Sequence, residues 1–155
     1  MPRTTSKQKG DAAEQAVLGK LQNLGFHAKL TGTYHSPHDI EVATDGSPLL
    51  IQVKRAWWNT QRSAYRSQCK RTFRSAGRFI QAFYQPADFD VYVAWIEDRN
   101  VFYVLPFSAV EGHHALSFVE GRTSQRSAST APYREAWHVI TDAIAARNLD
   151  QRDAA

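Results

Sequence analysis

The chain has 155 residues, of which 43% are hydrophobic and 22% charged, a composition typical of a globular protein with a core of its own. We therefore expect one domain over residues 1–155. No apolar run reaches membrane-spanning length, and Met1–Gln22 lacks the apolar stretch of a signal peptide, which predicts a cytoplasmic protein with no membrane partner. The lone cysteine, Cys69, excludes an internal disulfide and a cysteine-based zinc site.

The positive charge is concentrated in one part of the chain. The net charge is only +4, but no Asp or Glu occurs from Gly46 to Ala87. A stretch with charges of one sign forgoes the ion pairs of a mixed surface, which indicates a polyanionic partner such as nucleic acid. The alternative is a basic surface whose acids come from elsewhere in the fold. The predicted nucleic-acid contacts are Lys9 and, in the basic segment 54–78, Arg55, Arg62, Arg66, Lys70, Arg71, Arg74 and Arg78.

A first helix is predicted over Gly10–Leu24. Its apolar residues recur at helical spacing, and Gly25 stands where a left-handed C-terminal cap is expected. Glu14 lies three and four positions before Val17 and Leu18, so it points toward the core side of the helix. Burial of a carboxylate without a partner is costly, and Glu14 is therefore expected to face a metal, a lysine or hydrogen-bond donors.

A β-hairpin is predicted around Asp45-Gly46, a strong signal for a two-residue turn. This turn sets Asp39 opposite Gln52, on the same face as Lys54, and leaves the alternate apolar residues to fill the other face. A slip of one residue would put Asp39 and Gln52 on opposite faces. The predicted strands in this half of the chain are Phe26–Thr31, Asp39–Thr44 and Leu49–Lys54.

The second half predicts a basic connecting region, a second hairpin and a last helix. Arg62–Phe83 is expected to be partly helical, because its cations recur about every four residues and would lie along one helix edge. The later elements are strands at Phe89–Ile96, Asn100–Leu105 and Ala115–Val119, a polar loop at Gly121–Ala131, a helix at Pro132–Asn148 and a frayed end. The order of elements predicts an α/β fold with a central mixed sheet and a helix on each flank.

Asp39, Gln52 and Lys54 form a constellation suited to metal-dependent hydrolysis of a phosphodiester. That reaction needs a hard cation, an aimed water and a positive group near the developing charge. Mg²⁺ prefers oxygen ligands, which Asp39, the Gln52 amide, the Val53 carbonyl and Glu14 offer. Lys54 can contact the water and the phosphate, with its pKa lowered by a metal nearby. The alternative is a surface ion pair beside a hairpin.

These residues resemble the signature of the PD-(D/E)xK nuclease superfamily. The resemblance is carried by Lys9-Gly10, Glu14, Asp39 and Gln52-Val53-Lys54, and it is specific over residues 9–54. Within the superfamily the chain is similar to the group I intron-associated endonucleases, which carry a Q-V-K motif and a K-G-x-x-x-E opening helix. Asp88–Pro106 also resembles that group.

The resemblance implies a restriction-endonuclease-like core and a DNA endonuclease, with Mg²⁺ as cofactor, Mn²⁺ as a substitute and double-stranded DNA as substrate. It assigns Glu14, Asp39, Gln52 and Lys54 to catalysis. It assigns Asp39 and Gln52 to the metal, and the chemistry of the residues adds Glu14 and the Val53 carbonyl as further predicted ligands. Because one domain makes one active site, cutting both strands implies a homodimer or homotetramer.

The chain departs from the family pattern at two positions. His38 separates Pro37 from Asp39, so the PD pair is not adjacent. Gln52 replaces the usual acid, and a neutral amide binds Mg²⁺ more weakly. The number of metal ions expected at the site, one or two, is therefore left open. The Gln form is tolerated in the intron-associated group, so activity is expected.

Alternatives remain at the level of function and of single residues. A site-specific homing endonuclease is favoured over a structure-specific nuclease acting on Holliday junctions or in repair, a non-catalytic DNA-binding module and an RNA-processing nuclease. Trp57 or Trp58 could stack on bases, although one of them is expected in the core. Glu41 is either an extra ligand or solvated. Cys69 lies among cations that would favour its thiolate, but it has no base partner and is interpreted as structural. Phe102 and Tyr103, or the last helix, are candidates for the subunit interface.

Overall fold

The fold is described by a computed structural model that covers residues 5–32, 36–121, 125 and 128–154. Residues 1–4, part of the predicted loop Thr31–Ser36 and part of Gly121–Ala131 lie outside the described residues. The helices are α1 (Ser6–Asn23), α2 (Phe107–Val110) and α3 (His138–Asp153). The strands are β1 (Ala28–Leu30), β2 (Ile40–Val42), β3 (Leu49–Asn59), β4 (Ala64–Gln68), β5 (Lys70–Ser75), β6 (Arg78–Phe83), β7 (Val91–Ile96), β8 (Val101–Pro106) and β9 (Ala115–Phe118).

Helix α1 begins and ends at local sequence signals. The Thr5 hydroxyl accepts from the Gln8 N–H at 3.2 Å, and the Gln8 side chain accepts from the Thr5 N–H at 2.8 Å. This capping box starts the helix four residues earlier than the predicted Gly10. Gly25, with φ of 92°, follows the helix in the left-handed region, as predicted.

Strand β3 is the centre of a mixed sheet. Its first half lies between antiparallel β2 and parallel β7, and its second half pairs with β4, which in turn pairs with β9. Strand β8 completes the second hairpin by pairing with β7. The pairing of Ile40 with Ile51 and of Val42 with Leu49 is the predicted register. The mixed sheet confirms the predicted α/β class.

The two faces of the sheet bury different clusters. Ile40, Val42 and Ile51 pack with α1 and α3 on one face. The opposite face packs against β4, β9 and the short α2 around the buried Tyr92 and Phe118. Both long helices therefore share one face, where the sequence predicted one helix on each flank.

The basic connecting region is not helical. Strands β5 and β6 form a separate two-stranded antiparallel ribbon, called here the ribbon (Lys70–Phe83). Its turn is Ala76-Gly77, with both residues at positive φ, 50° and 76°, which matches the two-residue hairpin turn that follows strand twist. The helix prediction over Arg62–Phe83 is wrong. Residues four positions apart lie on one face of a strand as well as near one edge of a helix, so the spacing of the cations fits both structures. The cations are therefore distributed over separate strands and loops.

The C-terminal half differs from the predictions in two details. Helix α3 begins at His138, after a short turn at Ala131–Tyr133 that contains Pro132, and it continues to Asp153 where a frayed end was predicted. Phe102 and Tyr103 are buried at 4% and 1% exposure, so they are unavailable as a subunit interface. No helix within the described residues has both the length and the apolar character needed to cross a membrane.

Candidate active site

The β2–β3 hairpin brings Asp39, Gln52 and Val53 into direct contact. Asp39 Oδ2 accepts from the Gln52 Nε2 amide and from the Val53 backbone N–H, each at 2.8 Å. The Gln52 amide also donates to the Val53 carbonyl at 3.0 Å, and Gln52 is buried at 6% exposure. Because these donors converge on one oxygen, the Asp39 carboxylate is held in a fixed orientation.

Glu14 reaches the same carboxylate from α1. Its carboxyl group contacts that of Asp39, and burial together with the neighbouring charges of Asp39 and Asp11 raises the pKa of Glu14 to about 7. Burial also raises the pKa of Asp39, although the Val53 N–H and the Lys54 ammonium oppose it. Two carboxylates in contact repel each other, so the pair favours sharing a proton at neutral pH. A cation bound between them would offset the same repulsion.

The raised pKa of Glu14 predicts an unusual pH dependence of stability. Between its ordinary value of 4.5 and about 7, the folded protein binds more protons than the unfolded chain. In the metal-free protein, the contribution of Glu14 to stability should therefore be fully present below pH 4.5. It should be lost as the pH rises through about 7. We expect a loss of about 1–2 kcal/mol, after allowing for solvent screening of a half-buried group, or about 3–6 °C in Tm.

Thermal denaturation between pH 5 and 8 in the presence of a chelator measures this loss. Glu14→Gln should flatten the profile, whereas Glu41→Gln, a half-buried acid that pairs with Lys29 and His38, should not. A Glu14→Gln profile parallel to that of the parent chain would show that Glu14 titrates normally.

Lys54 lies beside this group on the next outward position of β3. Burial lowers the pKa of its ammonium, and the nearby Asp39 carboxylate opposes that shift. A lysine with a lowered pKa can act on a water molecule as well as stabilise charge. The hairpin and α1 thus bring together all four residues to which the sequence assigned catalysis.

Three of these four residues line a cleft of about 530 Å³, and Glu14 contacts one of the three, Asp39. Asp39, Gln52 and Lys54 line its floor, and the ribbon residues Arg71 and Arg74 line its wall. Tyr84, which sequence reasoning missed, also lines the cleft, and burial and the Asp39 charge raise its pKa well above the ordinary value. No signal in the sequence marks Tyr84, because only the path of the ribbon brings it to the site.

The oxygen groups at the cleft floor fit a hard divalent cation. Glu14 and Asp39 supply carboxylates, Gln52 an amide oxygen and Val53 a carbonyl, which is the donor set that Mg²⁺ and Mn²⁺ accept. The described residues contain no group of three or more His, Cys, Asp or Glu that could hold a metal, so the set of oxygen donors here depends on the Gln52 amide and the Val53 carbonyl as well as the two carboxylates. The Gln52 amide now presents nitrogen to Asp39 and Val53, and rotation of its terminal amide would present oxygen instead.

The cations predicted to bind DNA fall into two groups. Arg55 pairs with Glu97 at 2.9 Å, and Arg71 lies 3.8 Å from Asp88. Acids from elsewhere in the fold therefore pair with these two arginines. Lys9 is exposed on α1, outside the cleft. The second group has no carboxylate within ion-pair distance among residues 5–32, 36–121, 125 and 128–154. Its members are Arg62, Arg66, Lys70, Arg74 and Arg78. An excess of unpaired positive charge therefore remains on β4 and the ribbon.

Several single-residue expectations are settled by burial. Trp57 and Trp58 are 46% and 49% exposed, so the expectation that one lies in the core is wrong. Burial raises the pKa of the Cys69 thiol to about 11 and outweighs the charges of Lys54 and Arg66, which favour the thiolate. Glu41 lines a separate cavity of about 620 Å³, which contains no residue of the candidate site.

Comparison with known proteins agrees with this geometry. A family model described as PD-(D/E)XK endonuclease matches residues 4–140. The solved structure of a bacterial homing endonuclease, I-Ssp6803I, is similar to this chain with a TM-score of 0.82 and 29% identity, covering 92% of this chain and 97% of that one. Among curated proteins no match was found. With its sheet, its hairpin site and this match over most of its length, the chain belongs to the PD-(D/E)XK endonuclease family.

Proposed function

We propose that this endonuclease cuts double-stranded DNA at a defined site in a Mg²⁺-dependent reaction, as a homing-type enzyme. The observation that carries the proposal is the juxtaposition of Asp39, Gln52 and Lys54 in one cleft lined by the cationic ribbon, with Glu14 in contact with Asp39. The similarity to a structure described as a bacterial homing endonuclease supports the homing type. We further propose that residues 1–155 act as one domain in the cytoplasm, with residues 54–78 as the main DNA-binding segment.

The residues divide the chemistry among themselves. Glu14, Asp39, Gln52 and the Val53 carbonyl would hold the divalent ion, which supplies charge neutralisation and a more acidic bound water. The Val53 N–H fixes the Asp39 carboxylate in place. Lys54 orients the attacking water toward the phosphate and stabilises the charge that develops on its oxygens. The positive ribbon draws the backbone into the cleft.

Gln52→Glu tests the amide directly. The change adds a carboxylate beside Glu14 and Asp39, so we expect cleavage to continue, with tighter binding of divalent ions and an altered preference between Mg²⁺ and Mn²⁺. The added charge should also raise the proton affinity of the site when no metal is bound. Calorimetric titration with Ca²⁺ and cleavage assays in each metal measure these effects. Complete loss of metal binding in Gln52→Glu would show that the neutral amide is required.

Plasmid cleavage separates the homing enzyme from its rivals. The substrates are plasmids that carry candidate insertion regions, and a synthetic four-way junction serves as the branched substrate. Cutting at one defined plasmid site with Mg²⁺ supports the homing type, and cutting confined to the junction supports a structure-specific enzyme. Salt-sensitive binding to DNA without cutting in any metal would indicate a binding module. An RNA duplex of the same sequence tests the RNA-processing alternative.

The oligomeric state is part of the proposal. A homodimer or homotetramer would place one site on each DNA strand. Because Phe102 and Tyr103 are buried, the exposed apolar residues available for contact lie elsewhere, such as Leu149 on α3 at 57% exposure. Sedimentation with and without DNA measures the assembly, and a monomer in both conditions would restrict the enzyme to nicking.

A further inference from the structure

The ribbon exposes apolar side chains to solvent. They are Phe73, Phe79, Ile80 and Phe83, and Phe79 is the most exposed large apolar residue in the described part of the chain, at 76%. Strands β5 and β6 form a sheet of their own, and a two-stranded ribbon by itself is only marginally stable in water. Apolar side chains grouped on such an element mark a surface that a partner covers.

Phe79 lies near the tip of the ribbon and next to a residue of the active-site cleft. It follows the Ala76-Gly77 turn by two positions, and it pairs with Arg74 across β5 and β6. Directly opposed residues share a face of the ribbon. Arg74 lines the cleft, and its Cζ atom lies 5.2 Å from the centre of the Phe79 ring. The ring is therefore on the ribbon face whose arginine borders the cleft.

The other two aromatic rings of the ribbon are more enclosed. The Lys70 ammonium lies 5.3 Å from the centre of the Phe83 ring, and the Arg71 Cζ atom lies 5.5 Å from that of Phe73. Phe73 and Phe83 are 37% and 40% exposed, about half the exposure of Phe79. The Arg74 guanidinium covers one side of the Phe79 ring, and the rest of this ring is open to a partner.

The charge of the ribbon indicates which partner covers the ring. The charged residues of the ribbon are Lys70, Arg71, Arg74 and Arg78, and it contains no Asp or Glu. A second copy of the ribbon would bring like charges together, which is unfavourable. Duplex DNA complements both features, because its phosphates are negative and the flat faces of its bases stack on aromatic side chains.

We propose that the Phe79 ring inserts between two base pairs of the bound DNA, at a step close to the phosphodiester in the cleft. The proposal rests on the proposed function. Apolar side chains of DNA-binding proteins act as wedges of this kind, which unstack a base step and kink the duplex. Arg74 then contacts a phosphate beside the cleft while Phe79 covers an unstacked base. Phe79 is a positioning residue, because the kinked step sets where the backbone enters the cleft.

A wedge predicts a preference among base steps that needs no contact with base edges. Pyrimidine–purine steps such as TA are flexible and easily unstacked, whereas runs of A are stiff. A duplex of alternating T and A and a duplex of A paired with T have the same base composition. They differ in deformability and shape, so the contribution of Phe79 should be larger on the alternating duplex.

Binding measurements in Ca²⁺ on the full chain test the proposal without a known target site. The probes are these two duplexes, equal in length and with the same G·C ends, titrated at several salt concentrations. The fluorescent adenine analogue 2-aminopurine replaces several adenines in each, and its emission rises when a base is unstacked. The variants are Phe79→Ala, Phe79→Leu and Arg78→Gln. Leu24→Ala, an exposed apolar residue at the end of α1, is the matched control.

We expect Phe79→Ala to weaken binding to the alternating duplex at least about fivefold, with a smaller loss on the other duplex. The slope of log K against log salt should stay unchanged, because the ring neutralises no phosphate. The parent chain should raise 2-aminopurine emission on the alternating duplex, Phe79→Ala should not, and Phe79→Leu should restore part of the rise because leucine also serves as a wedge.

The comparison variants separate stacking from charge. Arg78→Gln, the neighbour of Phe79, should reduce the salt slope by about 0.9 and leave the rise in emission in place. Leu24→Ala should match the parent chain on both duplexes. Thermal denaturation establishes that each variant is folded. If Phe79→Ala does not fold, the emission of the two duplexes bound to the parent chain decides the outcome.

Three results would overturn the proposal. One is an equal loss of affinity on both duplexes, or no loss, in Phe79→Ala. Another is saturation of the alternating duplex by the parent chain with no rise in emission. The third concerns a second copy as the partner: sedimentation of DNA-free Phe79→Ala as a smaller assembly than the parent chain would assign the ring to a subunit interface.

Failure of the wedge is distinguishable from failure of the proposed function. The wedge is judged by binding and emission in Ca²⁺, whereas the nuclease proposal is judged by cutting in Mg²⁺. A parent chain that unstacks the alternating duplex through Phe79 but never cuts would leave the wedge assigned and would overturn the cleavage proposal. A parent chain that cuts but shows no rise in emission would do the reverse. A parent chain that binds no DNA would overturn both.

Discussion

Lys54→Ala is expected to reduce DNA cleavage at least about a thousandfold, while binding to DNA in Ca²⁺ stays within about threefold of the parent chain. Lys54 lies on the same hairpin face as Gln52 and lines the cleft that contains Asp39. Removal of its ammonium leaves the metal ligands and the cationic ribbon in place, so the loss should fall on the chemical step. Single-turnover cleavage and fluorescence anisotropy measure the two quantities separately.

Lys54→Arg distinguishes two roles for this residue. Burial lowers the pKa of Lys54, which favours transfer of a proton to or from a water molecule. Arginine keeps the positive charge but does not lose its proton, so a variant as inactive as Lys54→Ala would indicate proton transfer, and partial activity would indicate charge stabilisation alone. Lys29→Ala, whose side chain is 77% exposed, is the control. Cleavage by Lys54→Ala at the parent rate would remove Lys54 from the mechanism.

The parts of the site that the sequence predicts well are those formed by local structure. The predicted two-residue turn at Asp45-Gly46 is wrong, because residues 43–48 form a longer loop in which neither Asp45 nor Gly46 has a positive φ. The alternation on either side of the loop still gives the predicted β2–β3 register, and that register places Asp39 against Gln52. Glu14 is predictable in the same way, because helical spacing orients it before any tertiary contact is known. The proposed metal ligands therefore follow from short-range patterns.

The parts that could not be predicted depend on long-range packing. The sequence of the ribbon is compatible with both a helix and a strand, because cations four positions apart lie along one edge of a helix and also on one face of a strand. Its Ala76-Gly77 turn lacks the Asn or Asp that usually marks a two-residue turn, and Ala76 adopts a positive φ. The position of Tyr84 in the cleft follows from the ribbon. Because the sequence of this segment predicts a helix, the wall that the ribbon gives to the cleft does not follow from it.

Asp39→Asn is expected to weaken the binding of Mn²⁺ or Ca²⁺ at least about tenfold and to reduce cleavage at least about a thousandfold. Asparagine has the shape of aspartate, and its one carbonyl oxygen can still accept from the Val53 N–H and the Gln52 amide, which now bond to Asp39 Oδ2 at 2.8 Å. The fold of the hairpin should therefore survive. What is lost is the charge and the second oxygen, which the cation needs.

The metal-free stability of Asp39→Asn provides the sharpest readout. Asp39 raises the pKa of Glu14, so removal of its charge should lower that pKa and reduce the loss of stability on raising the pH through 7. Calorimetric titration with Mn²⁺ measures metal binding, and denaturation profiles in chelator measure the pH effect. Asp45→Asn, at the exposed hairpin turn, is the matched control and should leave both unchanged. Metal affinity equal to that of the parent chain in Asp39→Asn would show that the cation binds elsewhere. An unchanged pH profile would show that Glu14 and Asp39 titrate independently, because both the charge of Asp39 and its contact with Glu14 raise the pKa of Glu14.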